Sequence, residues 1–335
     1  MMDKRLLITG GAGFIGSAVV RQAIASDYFV INLDALTYAG SLNNVEEVAD
    51  SSSYVFEHAN ICDRGTLERI FSAHKPDAVI HLAAESHVDR SISGSSAFIE
   101  TNINGTYQLL DVALEFWKSV DCPESFRFHH VSTDEVYGSL DTDGRFHEND
   151  PYSPNSPYSA SKAASDHLVR AWHHTYGLPV VITNCSNNYG PCQHPEKFIP
   201  TIIWNSVSGT PIPVYGRGRN VREWLFVEDH ADALLTVMER GAIGRTYNIG
   251  SDNEFSNIEL VEIVCSMLDK KVPNGKPHFK LVEFVEDRPG HDFRYSIDST
   301  RIKHELNWEA TTPFEVGIEK TLDWYLSRFG AILGS

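Results

Sequence analysis

The sequence predicts an α/β fold, a doubly wound parallel sheet with a smaller, mostly C-terminal α+β lobe for the substrate. Short apolar runs alternate with longer helical patterns up to about residue 190, which is typical of parallel βαβ units. A glycine-rich turn separates the first apolar run from the first helical pattern. Beyond about residue 190 proline and glycine become frequent and the alternation stops, which indicates a second lobe.

The predicted elements follow one another in a regular order. Each predicted strand is a short apolar or β-branched run, and each predicted helix is a longer segment with helical periodicity. Strands are predicted at 5–9, 28–33, 54–58, 78–83, 126–132 and 179–184, with a further strand-like run at 224–227. Helices are predicted at 14–26, 64–74, 95–118 and 157–175. We expect 1–188 with about 223–250 to form the sheet domain, and 189–222 with 251–335 the second domain.

Length and composition exclude several classes of protein. A chain of 335 residues exceeds what one core usually fills, so two lobes are expected. The net charge of −17 argues against a nucleic-acid binder, and no apolar run is long enough for a membrane span. The five cysteines lack CxxC spacing, and the opening MMDKRLLITGG lacks the apolar region of a signal peptide. We therefore expect reduced thiols, a cytoplasmic location and no membrane or nucleic-acid partner.

The turn TGGAGFIG at 9–16 predicts a dinucleotide site of the Rossmann type. Gly11, Gly13 and Gly16 match GxGxxG, and Gly10, Gly13 and Gly16 match GxxGxxG. Glycine allows the tight turn and lets the backbone approach a pyrophosphate at a helix N-terminus. Asp34 ends the second strand 18 residues after Gly16, where a carboxylate binds ribose hydroxyls and repels a 2′-phosphate. NAD is therefore favoured over NADP.

The stretch SPYSASKAASD at 156–166 predicts an acid/base pair on one helix face. Ser156 suits the N-cap and Pro157 the first helical position. Tyr158 then falls in the first turn, and Lys162 lies one turn further on the same face. A neighbouring ammonium group and the helix N-terminus both stabilise a phenolate, which makes tyrosine usable as an acid or base. The alternative is an exposed Tyr and Lys on a surface helix.

Two adjacent carboxyls follow a predicted buried strand in HHVSTDEVYG at 129–138. Thr133 ends the strand, and Asp134 and Glu135 come next. A charge at that place is costly unless it is paired, solvated or used. Neighbours on an extended strand point to opposite faces, so the backbone must leave the strand near Thr133 if both acids are to reach one ligand.

Other polar residues fit binding less specifically. His81 and His87 lack a third ligand at a fixed spacing, so no metal site is predicted. Asn187 follows a strand and either binds a polar ligand or stabilises the turn. Arg222 and Arg288 are the arginines that we expect to hold a diphosphate.

Taken together, these motifs resemble the extended short-chain dehydrogenase/reductases. INLDALTYAGSLNN (31–44), HLAAESHVDRSI (81–92), VSTDEVYG (131–138), NNYGP with PEKFIP (187–200) and EDRPGHD (286–292) resemble, more narrowly, the dTDP-glucose 4,6-dehydratases. Two positions depart from that pattern, because Asn60 and Glu223 both replace a usual Asp.

The resemblance implies a reaction and a role for each predicted catalytic residue. Tightly bound NAD would oxidise C4 of the glucose, water would be lost across C5 and C6, and the hydride would return to C6. Tyr158 would take the C4 hydroxyl proton, with Lys162 beside it and Thr133 hydrogen-bonded to the C4 oxygen. Glu135 would remove the C5 proton, and a protonated Asp134 would protonate the leaving C6 hydroxyl. Mutual repulsion and burial favour one charged and one neutral carboxyl.

The resemblance also implies binding residues and a homodimer. The implied cofactor contacts, besides Tyr158 and Lys162, are Gly10, Gly13, Phe14, Ile15, Gly16, Asp34, Ile61, Leu82, Ala83, Ala84, Ser86 and Asn102. The implied substrate contacts are Ser86, Thr133, Asn187, Lys197, Arg222, Asn257, Arg288, His291 and Tyr295. The implied dimer interface is formed by the helices at about 95–118 and 157–175.

Two other kinds of function remain open on the sequence. A nucleotide-sugar 4-epimerase shares the fold, NAD and the Tyr/Lys pair but has no need of two acids, and a UDP-glucose 4,6-dehydratase would need the same acids. A catalytically inert NAD-binding regulator would be expected to have lost part of the set Thr133, Asp134, Glu135, Tyr158 and Lys162, all of which are present.

Overall fold

A seven-stranded parallel sheet forms the larger lobe in the computed structural model, which describes residues 4–333 and, of 329–333, only the backbone. The strand order is β3-β2-β1-β4-β5-β6-β10, and each neighbouring pair is parallel. The order reverses between β1 and β4, which is where doubly wound sheets bind ligands. The strands of this sheet are β1 (Arg5–Thr9), β2 (Phe29–Asp34), β3 (Tyr54–His58), β4 (Ala78–His81), β5 (Arg127–Thr133), β6 (Val180–Cys185) and β10 (Thr246–Ile249).

Helices cover both faces of this sheet. Alternate residues of β1 point to opposite faces, so Leu6 and Ile8 pack in one core and Leu7 in the other. The first face is covered by α1 (Phe14–Ala25), α8 (Val227–Arg240) and α10 (Thr300–Leu306). The second face is covered by α2 (Arg64–His74), α5 (Thr106–Ser119) and α6 (Pro157–Tyr176), and the short helices α3 (Val88–Ser93) and α4 (Ser96–Phe98) precede α5.

A smaller lobe has its own sheets and its own core. Strand β9 (Val221–Phe226) lies between β7 (Asn187–Tyr189), which is parallel to it, and β11 (Glu254–Ser256), which is antiparallel. A parallel pair, β8 (Ile212–Tyr215) and β12 (Val282–Val285), lies beside it. The helices of this lobe are α7 (Phe198–Ser208), α9 (Asn257–Lys271) and α11 (Phe314–Leu333). Within residues 4–333, no helix combines the length and apolarity that crossing a membrane requires.

The predicted α/β fold is confirmed, and one predicted helix differs from the structure. The segment 95–118 is not one regular α-helix, because a π-helical stretch, Ile99–Gly105, lies between α4 and α5. Within this stretch the Asn102 carbonyl accepts hydrogen bonds from the Thr106 and Ser165 hydroxyls. The division into two domains stays a prediction. Strand β10 belongs to the large sheet and α8 packs against it, whereas β9 belongs to the three-stranded sheet of the smaller lobe.

The start of α6 is fixed by local side chains. Ser156 accepts from the Ser159 amide at 3.0 Å while the Ser159 hydroxyl accepts from the Ser156 amide at 3.0 Å, and Pro157 follows the cap. Gly177 ends the helix in the left-handed region. This cap sets the position of Tyr158, one residue into the first turn.

We expect Ser156→Ala to lower the free energy of unfolding by about 1 kcal/mol, because the buried Ser159 amide at the start of α6 loses its side-chain acceptor. Urea unfolding followed by circular dichroism measures the change. The matched control is Ser52→Ala in an exposed turn before β3. Equal stability of the two variants would mean that this cap does not hold the helix start.

Candidate active site

A cavity of about 600 Å³ lies at the carboxyl ends of the large sheet's strands and is lined by both lobes. It brings together the five predicted catalytic residues, Thr133, Asp134, Glu135, Tyr158 and Lys162. The predicted cofactor contacts that line it are Gly10, Gly13, Phe14, Ile15, Gly16, Asp34, Ile61, Leu82, Ala83, Ala84 and Ser86. The predicted substrate contacts that line it are Ser86, Thr133, Asn187, Lys197, Arg222, Asn257, Arg288, His291 and Tyr295. The geometry thus assembles the residues, while their individual roles stay predictions.

Asn102 is the predicted contact that does not line this cavity. Its side chain accepts from the Glu85 amide at 2.8 Å and donates to the Glu85 carbonyl at 3.0 Å. It also donates to the Ser161 hydroxyl at 2.8 Å. Asn102 therefore holds the loop that follows β4 in place through the backbone of Glu85, without lining the cavity itself.

The glycine-rich turn fits a pyrophosphate. Gly10 has a φ of +73°, and a Cβ at Gly16 would lie 2.0 Å from the Gly10 carbonyl oxygen. Helix α1 begins at Phe14 after Gly13, which has no side-chain cap, so its first amides face the cavity without a side-chain partner. Such a helix N-terminus favours an anion.

Asp34 is held in a fixed position at the end of β2. Its carboxylate accepts from the Ala12 amide at 2.9 Å and from the Leu36 amide at 2.8 Å. Burial raises its pKa, although those two hydrogen bonds oppose the rise. The fixed acid beside the glycine turn fits the ribose hydroxyls of NAD, as the sequence predicts.

The backbone leaves the extended conformation directly after Thr133. A short 3₁₀ helix, Asp134–Tyr137, begins there, and the Thr133 hydroxyl accepts from the Glu135 amide at 3.3 Å. Because this turn replaces the strand, both Asp134 and Glu135 line the same cavity. The backbone therefore leaves the strand near Thr133, as it must if both acids are to reach one ligand.

The two carboxyls have different surroundings. Asp134 is almost fully buried, and its Oδ2 has no hydrogen-bond partner among the described residues. Burial, then the charges of Glu135 and Glu223, raise its pKa well above the usual value. Asp134 is thus suited to be the neutral acid of the pair.

Glu135 has cations around it. Burial raises its pKa too, but the charges of Arg288, Arg222 and Lys197 oppose that rise. These cations come from the smaller lobe and favour the ionised form, so Glu135 is suited to be the base.

Tyr158 and Lys162 line the cavity one helical turn apart, but the pKa of Tyr158 differs from what the sequence predicts. Burial, then the Glu135 charge, raise the pKa of Tyr158 well above its usual value, while a hydrogen bond with Thr133 lowers it. The Lys162 ammonium donates to the Val131 carbonyl at 2.9 Å, and burial lowers its pKa. The expected lowering of the tyrosine pKa by lysine is therefore outweighed by burial in this structure.

Hydrogen bonds, a ring contact and an ion pair hold the predicted diphosphate-binding cations. Arg222 donates to the Asp292 carbonyl at 2.9 Å and lies 4.4 Å from the centre of the Tyr295 ring. Lys197 donates to the Ser86 carbonyl at 3.0 Å, and Arg288 pairs with Asp89 at 3.2 Å. Each side chain is thereby oriented toward the cavity before a ligand is bound.

Several contacts around this site are not predicted by the sequence. Arg90, in α3, lies 4.1 Å from the centre of the Tyr38 ring and pairs with Glu196 at 3.3 Å, which links α3 to two loops. Glu223 accepts from the Ser251, Asp252 and Ile297 amides, so its carboxylate organises backbone of the smaller lobe. Each lies beside or within a recognised segment, but no spacing rule links these distant segments to each other.

The fold and this site define an NAD-type Rossmann enzyme with a second lobe for an anionic ligand. A family model described as GDP-mannose 4,6 dehydratase matches residues 7–321, so the chain belongs to this family.

Individual relatives narrow the class to the dTDP-glucose 4,6-dehydratases. The chain is 55% identical to the dTDP-glucose 4,6-dehydratase 1 of Escherichia coli K12, over 97% of this chain and 93% of that protein. The structure of DesIV, a dTDP-glucose 4,6-dehydratase from Streptomyces venezuelae with NAD bound, matches with a TM-score of 0.89 and 46% identity over 98% of both chains. A UDP-glucose 4-epimerase from Thermotoga maritima has a TM-score of 0.86 at 28% identity, over 97% of this chain and 99% of that one.

We expect Gly16→Ala to lose bound NAD, because the added methyl group would overlap the Gly10 carbonyl and open the turn. The measurement is the molar ratio of NAD released from the denatured, purified protein. Gly65→Ala is the control, since a Cβ there makes ordinary contact at 3.7 Å. Full NAD content in Gly16→Ala would contradict this account of the turn.

Proposed function

We propose that the chain is an NAD-dependent dTDP-glucose 4,6-dehydratase, which converts dTDP-glucose to dTDP-4-keto-6-deoxyglucose and water. The observation that carries this conclusion is the pair of carboxyls, buried Asp134 and half-buried Glu135, in the same cavity as Tyr158 and Lys162. An oxidoreductase of this fold needs only the tyrosine and lysine, whereas breaking the C6–O bond needs an acid and a base in addition.

The first part of the reaction uses the β5 and α6 residues. Bound NAD supplies the acceptor and donor of hydride. We propose that Tyr158 Oη accepts the proton of the C4 hydroxyl, while the Thr133 hydroxyl donates to the C4 oxygen. Lys162 Nζ keeps a positive charge near the phenolate form of Tyr158, which is the form that accepts this proton.

The loss of water uses the two carboxyls. With a ketone at C4 the C5 proton is acidic, and Glu135 takes it. The electron pair of the C5–H bond forms the C5–C6 double bond as the C6–O bond breaks. Asp134 gives its proton to that oxygen, which leaves as water. Lys197, Arg222 and Arg288 hold the diphosphate and favour the ionised form of Glu135.

The competing activities are separated by one proton NMR time course. The protein is mixed with dTDP-glucose in D₂O without added NAD. We expect a C6 methyl signal that is uncoupled because C5 has taken deuterium. A C4 epimer without a methyl group would make the chain an epimerase. Activity with UDP-glucose alone would change the substrate, and inertness toward both would favour the NAD-binding regulator.

We expect Asp134→Asn to slow turnover of dTDP-glucose by on the order of 10²-fold, because the leaving hydroxyl loses its proton donor. An analogue with fluorine in place of the C6 hydroxyl needs no such proton, so most of that loss should disappear with it. The measurement is product formation by NMR with each substrate.

The matched control is Glu135→Gln, which we expect to be slow with both substrates because neither can lose its C5 proton. Equal slowing of Asp134→Asn with both substrates would remove Asp134 from the role of leaving-group acid.

We also propose a homodimer through α5, α6 and the segment before them, and a cytoplasmic location. Ile99, Tyr107 and Tyr176 are exposed large apolar side chains on these elements. Trp172 makes edge contacts with both Tyr107 and Tyr176, which gives an aromatic strip across the two helices. The five cysteines, all within the described residues, form no disulfide, which supports a reducing compartment.

We expect the double substitution Ile99→Glu and Tyr107→Glu to convert a dimer into a monomer, because charges would replace apolar side chains at the interface centre. Sedimentation velocity measures the mass. The control is Phe284→Glu, at an exposed apolar residue of the smaller lobe. A monomeric parent protein, or an unchanged dimer in the double variant, would contradict the proposed interface.

A further inference from the structure

Another buried carboxylate, that of Asp166, lies outside the cavity and has no role in the reaction described so far. It is 0% exposed, and it accepts from His130 Nε2 at 3.1 Å and from the Tyr152 hydroxyl at 2.8 Å. Burial alone raises its pKa, but the His130 hydrogen bond and the nearby cations bring that pKa below its usual value. A buried anion is costly unless a cation is close, so this one requires explanation.

Two cations flank Asp166 on the same face of α6. Lys162 precedes it by one turn and Arg170 follows it by one turn. Arg170 has neutral partners of its own: it donates to the Tyr152 hydroxyl at 2.7 Å and lies 4.8 Å from the centre of that ring. Lys162 is fully buried, and the hydrogen bond found for its ammonium is to the backbone carbonyl of Val131. Lys162 is therefore the cation that most needs a compensating charge.

The other titratable groups that face Lys162 do not supply a negative charge. Burial lowers the pKa of His81 on β4 well below its usual value and that of His130 on β5 to about 4. Burial also raises the pKa of the Cys185 thiol on β6 to about 12 and that of Tyr158 on α6 well above its usual value. Near neutral pH His81, His130 and Cys185 are uncharged, and Asp166 is the carboxylate whose charge raises the pKa of Lys162.

We propose that Asp166 is a positioning residue for the reaction: its buried carboxylate keeps Lys162 protonated, and Lys162 in turn stabilises the ionised form of Tyr158. This inference rests on the proposed function for the role of the tyrosine, but the coupling between Asp166 and Lys162 does not. The His130 and Tyr152 hydrogen bonds hold the carboxylate in place.

The direction in which the pH profile shifts distinguishes this role of Asp166 from a structural one. In Asp166→Asn, Lys162 loses its proton more readily, so Tyr158 ionises at higher pH. The acidic limb of the pH profile then moves upward. If Lys162 stayed charged without Asp166, removal of a nearby anion would instead move the limb downward.

The experiment follows C4 oxidation of dTDP-glucose in a single turnover of the holoenzyme, by rapid mixing and the absorbance of reduced cofactor, across pH. For Asp166→Asn we expect the acidic limb to lie one pH unit or more higher, which is about a tenfold slower rate at a fixed pH on that limb. The faster rate should return at high pH. An unmoved or downward-shifted limb would overturn the proposal.

Tyr152→Phe is the matched control. It removes a hydrogen bond from the same carboxylate but leaves every charge in place. We expect its acidic limb to coincide with that of the parent enzyme, whatever its maximum rate. A limb that moved as far as in Asp166→Asn would mean that packing, and not charge, sets the profile.

A double-substitution cycle tests the coupling without turnover, and it applies even if the parent enzyme proves inactive on dTDP-glucose. The thermal midpoints of the parent, Lys162→Met, Asp166→Asn and the double variant are compared with NAD present. Lys162→Met leaves a buried anion, so adding Asp166→Asn should recover part of the lost midpoint. Additive losses would show that the two charges are not partners.

Discussion

The presence of two neighbouring carboxyls in one cavity is the constraint on which the rest of this site depends. Asp134 and Glu135 follow each other in sequence and lie in one cavity, where two negative charges would repel strongly. The structure accommodates them by different surroundings: Asp134 lacks a partner for one oxygen, whereas Lys197, Arg222 and Arg288 favour the ionised form of Glu135. The sheet lobe supplies the two acids and the smaller lobe supplies the three cations, so both lobes contribute side chains to the cavity.

Backbone geometry makes this arrangement possible. Parallel strands place their carboxyl ends at one edge, so β1, β2, β4 and β5 all contribute to the same cavity. At that edge the glycine turn permits close approach of a pyrophosphate, and the Thr133 hydroxyl begins a 3₁₀ turn that redirects the next two side chains. The capping box at Ser156 then sets α6 so that Tyr158 and Lys162 face the same space.

Sequence reasoning was most successful where the signal is local. Strand β1 and helix α2 have the predicted bounds, and the glycine turn and the α6 cap follow from residues close together in sequence. The π-helical stretch at Asn102 has no such local signal, and one of its carbonyls accepts a hydrogen bond from Ser165, more than sixty residues away. The link of Arg90 to Tyr38 and Glu196 joins α3 to two distant loops, and the pKa of Tyr158 depends on burial that only the assembled fold creates.

We propose that Asp134 is protonated and Glu135 ionised before the reaction begins. Infrared difference spectroscopy of the holoenzyme with bound dTDP, near neutral pH, measures this directly through the carbonyl stretch of a protonated carboxyl. We expect this carbonyl band in the parent enzyme, and we expect it to disappear in Asp134→Asn and to persist in Glu135→Gln. A band that persists in Asp134→Asn and disappears in Glu135→Gln would contradict it, as would the absence of such a band from the parent.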